Sequence, residues 1–363
     1  MRPIGNPLPT PKDENPLLVP TIIAKHIQPK PSEIYPVLWR FAASRQEIYQ
    51  KRIAGEAPPW TTDAIFEAFK FTNAYRAADR VSQYLIKLVC AQSLEPATLF
   101  LRTILFKIFN NIATWEAITS ALGSPEADTF DFTECDRVLS DIKARGKSLY
   151  SGAYIMPSGK VTGQPKHEMH LSLIKTMLQD RLPERLQATR SLCEAYRHLR
   201  SYPSLGPFLA FQYTVDLNYT TLMDHSEMEF VVAGPGALDG LSKCFQSLGE
   251  YTPEDTIRWL TENQEREFDR LGLHFSGLWG RPLQLIDVQN LFCEVSKYTR
   301  ASHPDIKGRA GRQRIKRRFT PSGPLPLPFF PPKWGLNSKI GVIAHSNAHL
   351  ATTAVPVQLK LGA

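Results

Sequence analysis

Residues 71–85, FTNAYRAADRVSQYL, carry side chains that can bind a polar or anionic ligand. If the stretch forms one helix, a single face presents Asn73, Arg76, Arg80 and Gln83, and Asp79 lies beside them. Guanidinium groups bind phosphates and carboxylates through parallel hydrogen bonds, and amides bind the polar edges of bases. The stretch therefore predicts either a wall of a ligand site or a buried arginine–carboxylate network that joins two helices.

Carboxylates in a second stretch are candidates for acid–base chemistry. Asp224, Glu227 and Glu229 precede the apolar sequence FVVAGPGA. Glu229 is the preferred catalytic candidate because partial burial beside the apolar run would raise its pKa. The alternative is a solvated acidic loop.

A third polar group lies within residues 278–300. Asp287, Asn290 and Glu294 follow one another at helical spacing among leucines, isoleucine and phenylalanine. Buried acids need partners, and the arginines of residues 71–85 can supply them. Asp287 and Glu294 are therefore predicted either as catalytic carboxylates or as groups that orient those arginines.

The sequence LRSYPSLGPFLAFQYTVDL, residues 199–217, has the pattern of a helix-hairpin-helix element. A turn through Ser204 and Gly206 joins two predicted helices, and the second begins at Pro207. A turn of small residues at a helix N-terminus lets backbone N–H groups approach a DNA phosphate closely. Ser204 replaces the usual first glycine of that pattern, and the alternative is an ordinary pair of packed helices.

A basic segment follows the helical region. Seven basic residues and no acid occur within residues 307–318. The segment is either a DNA-anchoring arm or a solubilising or nuclear-import signal. The predicted DNA contacts are Arg309, Arg312, Arg314, Lys316, Arg317 and Arg318.

Apolar residues at helical spacing from about residue 33 to residue 307 predict an all-α protein, and its length allows a sizeable core. The chain has 363 residues, of which 42% are hydrophobic, and its net charge of +8 favours a polyanionic partner. We expect a proline-rich N-terminal arm (1–36), a helical domain (37–306) and a basic, proline-rich tail (307–363), with both extensions disordered. A hairpin at residues 151–161 is the main strand signal.

Several classes of protein are disfavoured. The five cysteines are widely spaced and match neither a zinc site nor a disulfide framework, so no metal is expected. No signal peptide or membrane-spanning run is recognisable, which predicts an intracellular protein, nuclear if the host has a nucleus. No nucleotide-triphosphate loop of the GxxxxGK[ST] type is present, and the sequence identifies no cofactor.

Several blocks together resemble a known family: FTNAYRAADRVSQYL, FLRTILFKIFNNIATWEAI, SGAYIMPSG, LGPFLAFQYTVDLNY, EFVVAGPGAL and GRPLQLIDVQNLFCEVSKY. The chain resembles, over roughly residues 35–300, the DNA base-hypermodification family, the helical domain associated with 5-hydroxymethyluracil DNA kinases. That family is related to predicted α-glutamyl/putrescinyl-thymine pyrophosphorylases. Ala77 and Ala78 and the C-terminal extension depart from its pattern.

The resemblance implies a DNA-glycosylase-like helical fold that acts on hydroxymethylated or phosphorylated pyrimidines in DNA. A nucleophile would displace the activated oxygen on the 5-methylene group of the base. Arg76 and Arg80 would then bind the activating phosphate, and Asn73 and Gln83 the edge of an extruded base. No kinase module is recognisable, so a separate DNA-base kinase or oxygenase is an expected partner. The alternatives are a non-catalytic DNA-binding module and a glycosylase that excises a modified base.

Overall fold

The computed structural model describes residues 25–157, 163–321 and 325–340, and these are mostly helical, which confirms the all-α prediction. The helices are α1 Tyr35–Ile53, α2 Ala64–Ala68, α3 Arg80–Cys90, α4 Pro96–Phe109, α5 Ile112–Leu122, α6 Phe132–Ala144, α7 Lys166–Gln179, α8 Leu182–Gln187, α9 Leu192–Arg200, α10 Pro207–Asn218, α11 Pro235–Cys244, α12 Pro253–Glu262, α13 Gln264–Arg270 and α14 Leu285–Ser302. Short 3₁₀ turns occupy Arg76–Ala78 and Pro332–Trp334. Two short strands, β1 Lys30–Pro31 and β2 Phe245–Ser247, pair antiparallel.

Helix α10 lies between two apolar clusters of the core. Its Phe211 and Val215 belong to the first cluster, which includes residues of α1, α11 and α14. Its Tyr213 and Leu217 belong to the second, which includes residues of α4 and α7. Apolar side chains on opposite faces place α10 in the interior of the fold, and its residues 209–218 are all buried.

Two neighbouring asparagines divide residues 96–122 into the two helices α4 and α5. Asn110 adopts a left-handed conformation with φ 48°, which ends α4. The side chain of Asn111 then accepts the Ala113 N–H at 3.1 Å and caps α5. Asparagine tolerates the left-handed region and is a favoured N-cap, so the Asn-Asn pair ends one helix and begins the next.

Residues 71–85 do not form one helix, so that prediction is wrong. The backbone is irregular up to the 3₁₀ turn Arg76–Ala78, and α3 begins only at Arg80. The Asp79 carboxylate accepts the Asn73 N–H at 2.8 Å, and the Asn73 amide donates to the Ala78 carbonyl at 2.8 Å. These local bonds offer the backbone an alternative to a helix. The four polar side chains therefore do not share one helical face.

Residues 307–321 and 325–340 dock on the helical body, and we call them the C-terminal strap. The prediction of a disordered tail is wrong for these residues. At its start, the Ala310 N–H donates to the Asp239 carboxylate at 2.7 Å. Further along, the Phe329 N–H donates to Gln83 Oε1 at 2.8 Å. The strap thus crosses from α11 to α3.

Apolar anchors hold the far end of the strap. Phe330 is fully buried, and Leu336 and Ile340 join the same apolar cluster. The rings of Trp334 and Tyr219 pack at right angles, with 5.4 Å between their centroids. The segment has no helical or strand periodicity, so its sequence alone carries no signal of this docking.

The described residues test only part of the remaining predictions about the extensions. The prediction of a disordered N-terminal arm is wrong for residues 25–36, because β1 pairs with β2 and the Lys25 ammonium lies 2.6 Å from the Asp255 carboxylate. Residues 1–24 and 341–363 lie outside the described residues. The expected hairpin is wrong for residues 151–157, which form no strand, and residues 158–162 are not described.

Phe330→Ala should lower the free energy of unfolding by about 3–5 kcal/mol, because it removes a fully buried ring from the core. Urea unfolding of the full chain measures this change. Leu327→Ala, at a strap residue that is 55% exposed, is the control and should stay within about 0.5 kcal/mol of the wild type. Equal stability of both variants would mean that the strap does not dock in solution.

Candidate ligand-binding site

A cavity of about 920 Å³ lies between the helical body and the strap. Three of the four predicted substrate-binding residues line it: Asn73, Arg80 and Gln83. Strap residues 318–321 and 325–329 form the opposite wall. A cavity of this size accommodates a nucleotide or a comparable small molecule.

The cavity lining is cationic and aromatic. Eight aromatic residues contribute, among them Tyr49, Trp60 and Phe319. Cations outnumber acids by six to three: Arg45, Arg52, Lys70, Arg80, Lys87 and Arg318 against Glu67, Asp79 and Glu116. This composition suits a flat, negatively charged ligand, because rings stack on a planar group while the cations attract its charge.

The two amides on the wall are held by the protein. Arg45 donates to Asn73 Oδ1 at 2.8 Å, and the Asn73 amide donates in turn to the backbone. Gln83 donates to the Ala77 carbonyl at 2.7 Å and accepts the Phe329 N–H. Gln83 therefore ties the strap to α3, while Asn73 fixes the loop before it.

The Asp79 carboxyl group of the lining has a pKa shifted towards neutrality. Burial raises its pKa to about 7, although the hydrogen bond from the Asn73 N–H opposes that shift. A carboxyl that titrates near neutral pH and faces a cavity is suited to general acid–base work. The sequence shows Asp79 only as a neighbour of the arginines, because its burial depends on segments distant in the chain.

Arg76 lies outside the cavity, in the centre of the molecule. It is 1% exposed, and its guanidinium binds the Asp216 carboxylate through two hydrogen bonds of 2.7 and 2.8 Å. Its Nε–H donates to Gln212 Oε1 at 3.0 Å. The Lys107 ammonium lies 3.2 Å from the same carboxylate. Every charged group of the cluster is therefore partnered.

The charges of this cluster shape one another's ionisation. Burial alone would raise the pKa of Asp216, but the Arg76 guanidinium and the Lys107 ammonium hold it below its usual range. Burial lowers the pKa of Lys107 to about 8. A buried cluster in which every charge has a partner is a structural network. This is one of the two interpretations given above for residues 71–85.

Sequence reasoning missed Lys107, Gln212 and Asp216. The sequence does contain a signal for these residues, because each is polar and lies inside an otherwise apolar helix, α4 or α10. Such residues need partners when they are buried. The identity of those partners was decided by packing, because Arg76 approaches α10 from a separate loop.

The predicted catalytic carboxylates all bind backbone N–H groups. Glu229 accepts from Leu192, Asp287 from Arg76 and Gln284, and Glu294 from Thr72. Burial raises the pKa of Asp287 to about 6. These groups fix loops and helix ends, and none of the three lines the cavity.

The other two acidic residues before the apolar sequence FVVAGPGA also have cationic partners. Glu227 is buried and pairs with Arg281 at 2.7 Å, while burial raises its pKa to about 7. Asp224 is largely exposed and lies 3.4 Å from the Lys333 ammonium. The Arg281–Glu227 pair also touches the strap, because the Arg281 guanidinium lies 4.0 Å from the centroid of the Trp334 ring.

Helices α9 and α10 pack together as the sequence predicted, and α10 begins at Pro207. Ser204 adopts a positive φ of 66° in the turn, and Gly206 is the N-cap of α10. Ser204 and Gly206 remain partly exposed. The turn is thus accessible to a phosphate, and its contact with DNA stays a prediction.

The six basic strap residues predicted to contact DNA are exposed: Arg309, Arg312, Arg314, Lys316, Arg317 and Arg318. Their backbone is held in place, for example where the Arg300 guanidinium donates to the Arg314 carbonyl at 3.3 Å. The basic side chains therefore project from a docked segment.

Within residues 25–157, 163–321 and 325–340, no group of three or more His, Cys, Asp and Glu residues is placed to hold a metal ion. No helix of those ranges has the length and apolar character to cross a bilayer.

The fold and the cavity define an all-helical protein with a cationic, aromatic cavity. Residues 32–308 match the family described as "5-hmdU DNA kinase, helical domain", and the chain belongs to this family. The 5-hmdU DNA kinase of Bacillus phage SP10 is 27% identical over 304 residues, which cover 76% of this chain and 47% of that protein. The chain thus spans about half the length of this curated relative. No solved structure matches, so the glycosylase-like fold and the helix-hairpin-helix element stay predictions.

Asp216→Asn should destabilise the protein by about 3–5 kcal/mol, because it leaves Arg76 and Lys107 buried without their counter-charge. Chemical denaturation provides the measurement. Arg80→Gln also removes a charge, but from an exposed side chain, and should change stability by no more than about 0.5 kcal/mol. Similar losses in both variants would contradict a structural role specific to the central cluster.

Asp79→Asn should stabilise the protein more at pH 8 than at pH 5. The pKa of Asp79 is about 7 in the folded protein and near 3.8 in the unfolded chain, so the wild type loses stability as pH rises between these values. Asparagine keeps the acceptor for the Asn73 N–H and carries no charge. Urea unfolding of both proteins at the two pH values tests this, and a pH-independent difference would refute it.

Proposed function

We propose that the protein takes part in the modification of 5-hydroxymethyluracil in DNA and that the cavity beside Asp79 receives the modified nucleotide. The single observation that carries this proposal is the cationic, aromatic cavity within a chain of the 5-hmdU DNA kinase helical-domain family. The name of the phage relative supports hydroxymethyluracil DNA as the substrate. The chemistry of the lining supports a planar ligand that carries a phosphate.

The proposed reaction is displacement of a phosphate from the 5-methylene group of the base. An amine forms a bond to that carbon, the carbon–oxygen bond breaks, and the phosphate leaves with the bonding electrons. The Asp79 carboxylate takes the proton that the amine loses, and its pKa of about 7 suits this transfer near neutral pH. Arg80 and its neighbouring cations stabilise the negative charge on the leaving phosphate.

DNA is the proposed macromolecular partner. An extruded nucleotide must leave the duplex, which costs a few kcal/mol and needs contacts to the flanking backbone. The partly exposed turn at Gly206 and the exposed arginines of the strap are the proposed phosphate contacts. A separate DNA-base kinase or oxygenase would supply the activated base.

Duplexes that differ only at one base test the proposal. The full chain should bind a duplex containing phosphorylated 5-hydroxymethyluracil roughly tenfold more tightly than one with 5-hydroxymethyluracil or thymine, because a charge-assisted hydrogen bond contributes about 1.5–3 kcal/mol. Arg80→Gln should abolish this preference. Fluorescence anisotropy at several salt concentrations measures each affinity.

A matched control distinguishes binding in the cavity from nonspecific attraction between the basic protein and DNA. Arg137→Gln removes the same charge from an exposed residue of α6 that does not line the cavity, and should preserve the preference. Equal binding of all three duplexes by the wild type would contradict the proposal and favour a non-catalytic DNA-binding module. Strand cleavage by mild base after incubation would instead indicate a glycosylase.

A further inference from the structure

The C-terminal strap forms a wall of the cavity, although it lies almost wholly outside the region that defines the family. The family match ends at residue 308, whereas the strap residues that line the cavity are 318–321 and 325–329. Two of them, Arg318 and Phe319, pack against rings of the body that line the same cavity. The site therefore combines the family domain with side chains from an extension.

Backbone hydrogen bonds hold these two strap residues in place. The Lys70 N–H donates to a carbonyl of the strap, and the Phe319 N–H donates to a carbonyl of the body, each at 3.1 Å. Between these bonds, Phe69 and Arg318 form an antiparallel bridge. Main-chain bonds do not depend on side chains, so substitutions at residues 318 and 319 can leave the strap docked.

Arg318 is held by an aromatic ring and keeps its hydrogen-bond donors for a ligand. Its guanidinium lies over the Phe69 ring, 4.8 Å from the centroid, and both residues line the cavity. Within residues 25–157, 163–321 and 325–340, its side chain has no hydrogen-bond acceptor and no acidic partner. A cation over a ring is attracted through its charge, so its N–H groups stay available to oxygen atoms. Phosphate is the group that a guanidinium binds best in this way.

Phe319 and Trp60 form an aromatic corner in the cavity. Their ring centroids lie 6.4 Å apart, and the angle between the ring planes is 74°. The indole N–H of Trp60 donates to the Glu56 carbonyl at 2.7 Å, which fixes the orientation of that ring. The Arg52 guanidinium lies over the same ring, 4.9 Å from its centroid. Both rings are partly exposed and line the cavity, so a flat group can pack on them.

The strap thus presents two consecutive residues with different binding chemistry. A ring favours a flat, uncharged group, and a guanidinium favours an anionic one. Neighbouring Cα atoms in a chain are about 3.8 Å apart, so one small molecule can contact both side chains. A nucleotide combines a flat base with a phosphate, and the cavity of about 920 Å³ accommodates it.

We propose that Arg318 and Phe319 of the strap determine the specificity of the cavity for a nucleotide. The corner formed by Phe319 and Trp60 packs on the base, and Arg318, held by Phe69, binds the phosphate. The inference rests on the proposed function for the identity of the base, whereas nucleotide binding itself does not. Since the family region ends before residue 318, these contacts belong to the extension of this chain.

The phosphate can be attached at two places that share this chemistry: the 5-methylene group of the base or the sugar. Three nucleosides distinguish them. Thymidine carries no phosphate, thymidine 5′-monophosphate carries one on the sugar, and 5-hydroxymethyl-2′-deoxyuridine phosphorylated at its hydroxymethyl group carries one on the base. Isothermal titration calorimetry with the full chain measures each affinity.

The wild type should bind at least one of the two phosphorylated nucleosides roughly tenfold more tightly than thymidine, because a hydrogen bond to a charged group is stronger than a neutral one. Arg318→Gln should abolish this difference and change thymidine affinity by less than about twofold, since thymidine has no anionic group. Phe319→Leu should weaken all three nucleosides roughly tenfold and preserve the difference, because it removes a stacking surface and no charge.

Conservative variants and matched controls separate recognition from folding. Phe319→Tyr keeps the ring and should keep wild-type affinities. Arg314→Gln removes an exposed strap charge that does not line the cavity, and Phe132→Leu removes a partly buried ring of α6 that does not line it either. Neither control should change any affinity by more than about twofold. Hydrogen exchange of the Phe319 amide shows whether the strap stays docked in Arg318→Gln, where it should match the wild type.

Two results would overturn the proposal: equal losses for all three nucleosides in both strap variants, or no saturable binding by the wild type. The first would mean that Arg318 and Phe319 only hold the strap on the body.

The outcomes also separate this proposal from the proposed function. If only thymidine 5′-monophosphate gains affinity through Arg318, the nucleotide site stands and the proposed chemistry on a phosphorylated base fails. If the phosphorylated duplex is preferred through Arg80 while both strap variants bind every nucleoside like the wild type, the proposed function stands and the role of the strap is refuted.

Discussion

The bidentate pair between Arg76 and Asp216 is the interaction on which the rest of the structure depends. It joins the loop before α3 to α10, the helix that both apolar clusters enclose. A buried ion pair is stable only when all of its hydrogen-bonding capacity is used, and here Gln212 and Lys107 complete it. By fixing Arg76, the pair also fixes the direction in which Asp79 and Arg80 leave the loop, which is towards the cavity.

The molecule therefore separates two tasks that the sequence of residues 71–85 seemed to combine. Arg76 and its partners form a charge-balanced interior, where no ligand is needed. Asp79 and Arg80 face a space where cations exceed acids, so an anion would reduce their repulsion. The distinction between a network and a site depends on this local balance of charge, since both regions contain the same residue types.

The strap gives the cavity its second wall and depends on the body for its own order. Its apolar residues, above all Phe330, hold one end in the core, while Asp239 holds the other through the Ala310 N–H. Between these anchors the basic residues remain exposed. A segment held at both ends can place cations beside a site at a small entropic cost, because its backbone is already ordered before a ligand binds.

The sequence by itself determined the helical class, the packed pair α9–α10 with its start at Pro207, and the clustering of cations near residue 80 and after residue 307. These properties follow from local periodicity, turn residues and composition, which act over a few residues. Tertiary structure alone decided that Arg76 turns inward to Asp216 and that Glu229, Asp287 and Glu294 bind backbone N–H groups. It also decided that the C-terminal strap docks. Each of these depends on which distant groups meet after burial, because a charge or ring buried in the core takes its partners from other segments of the chain.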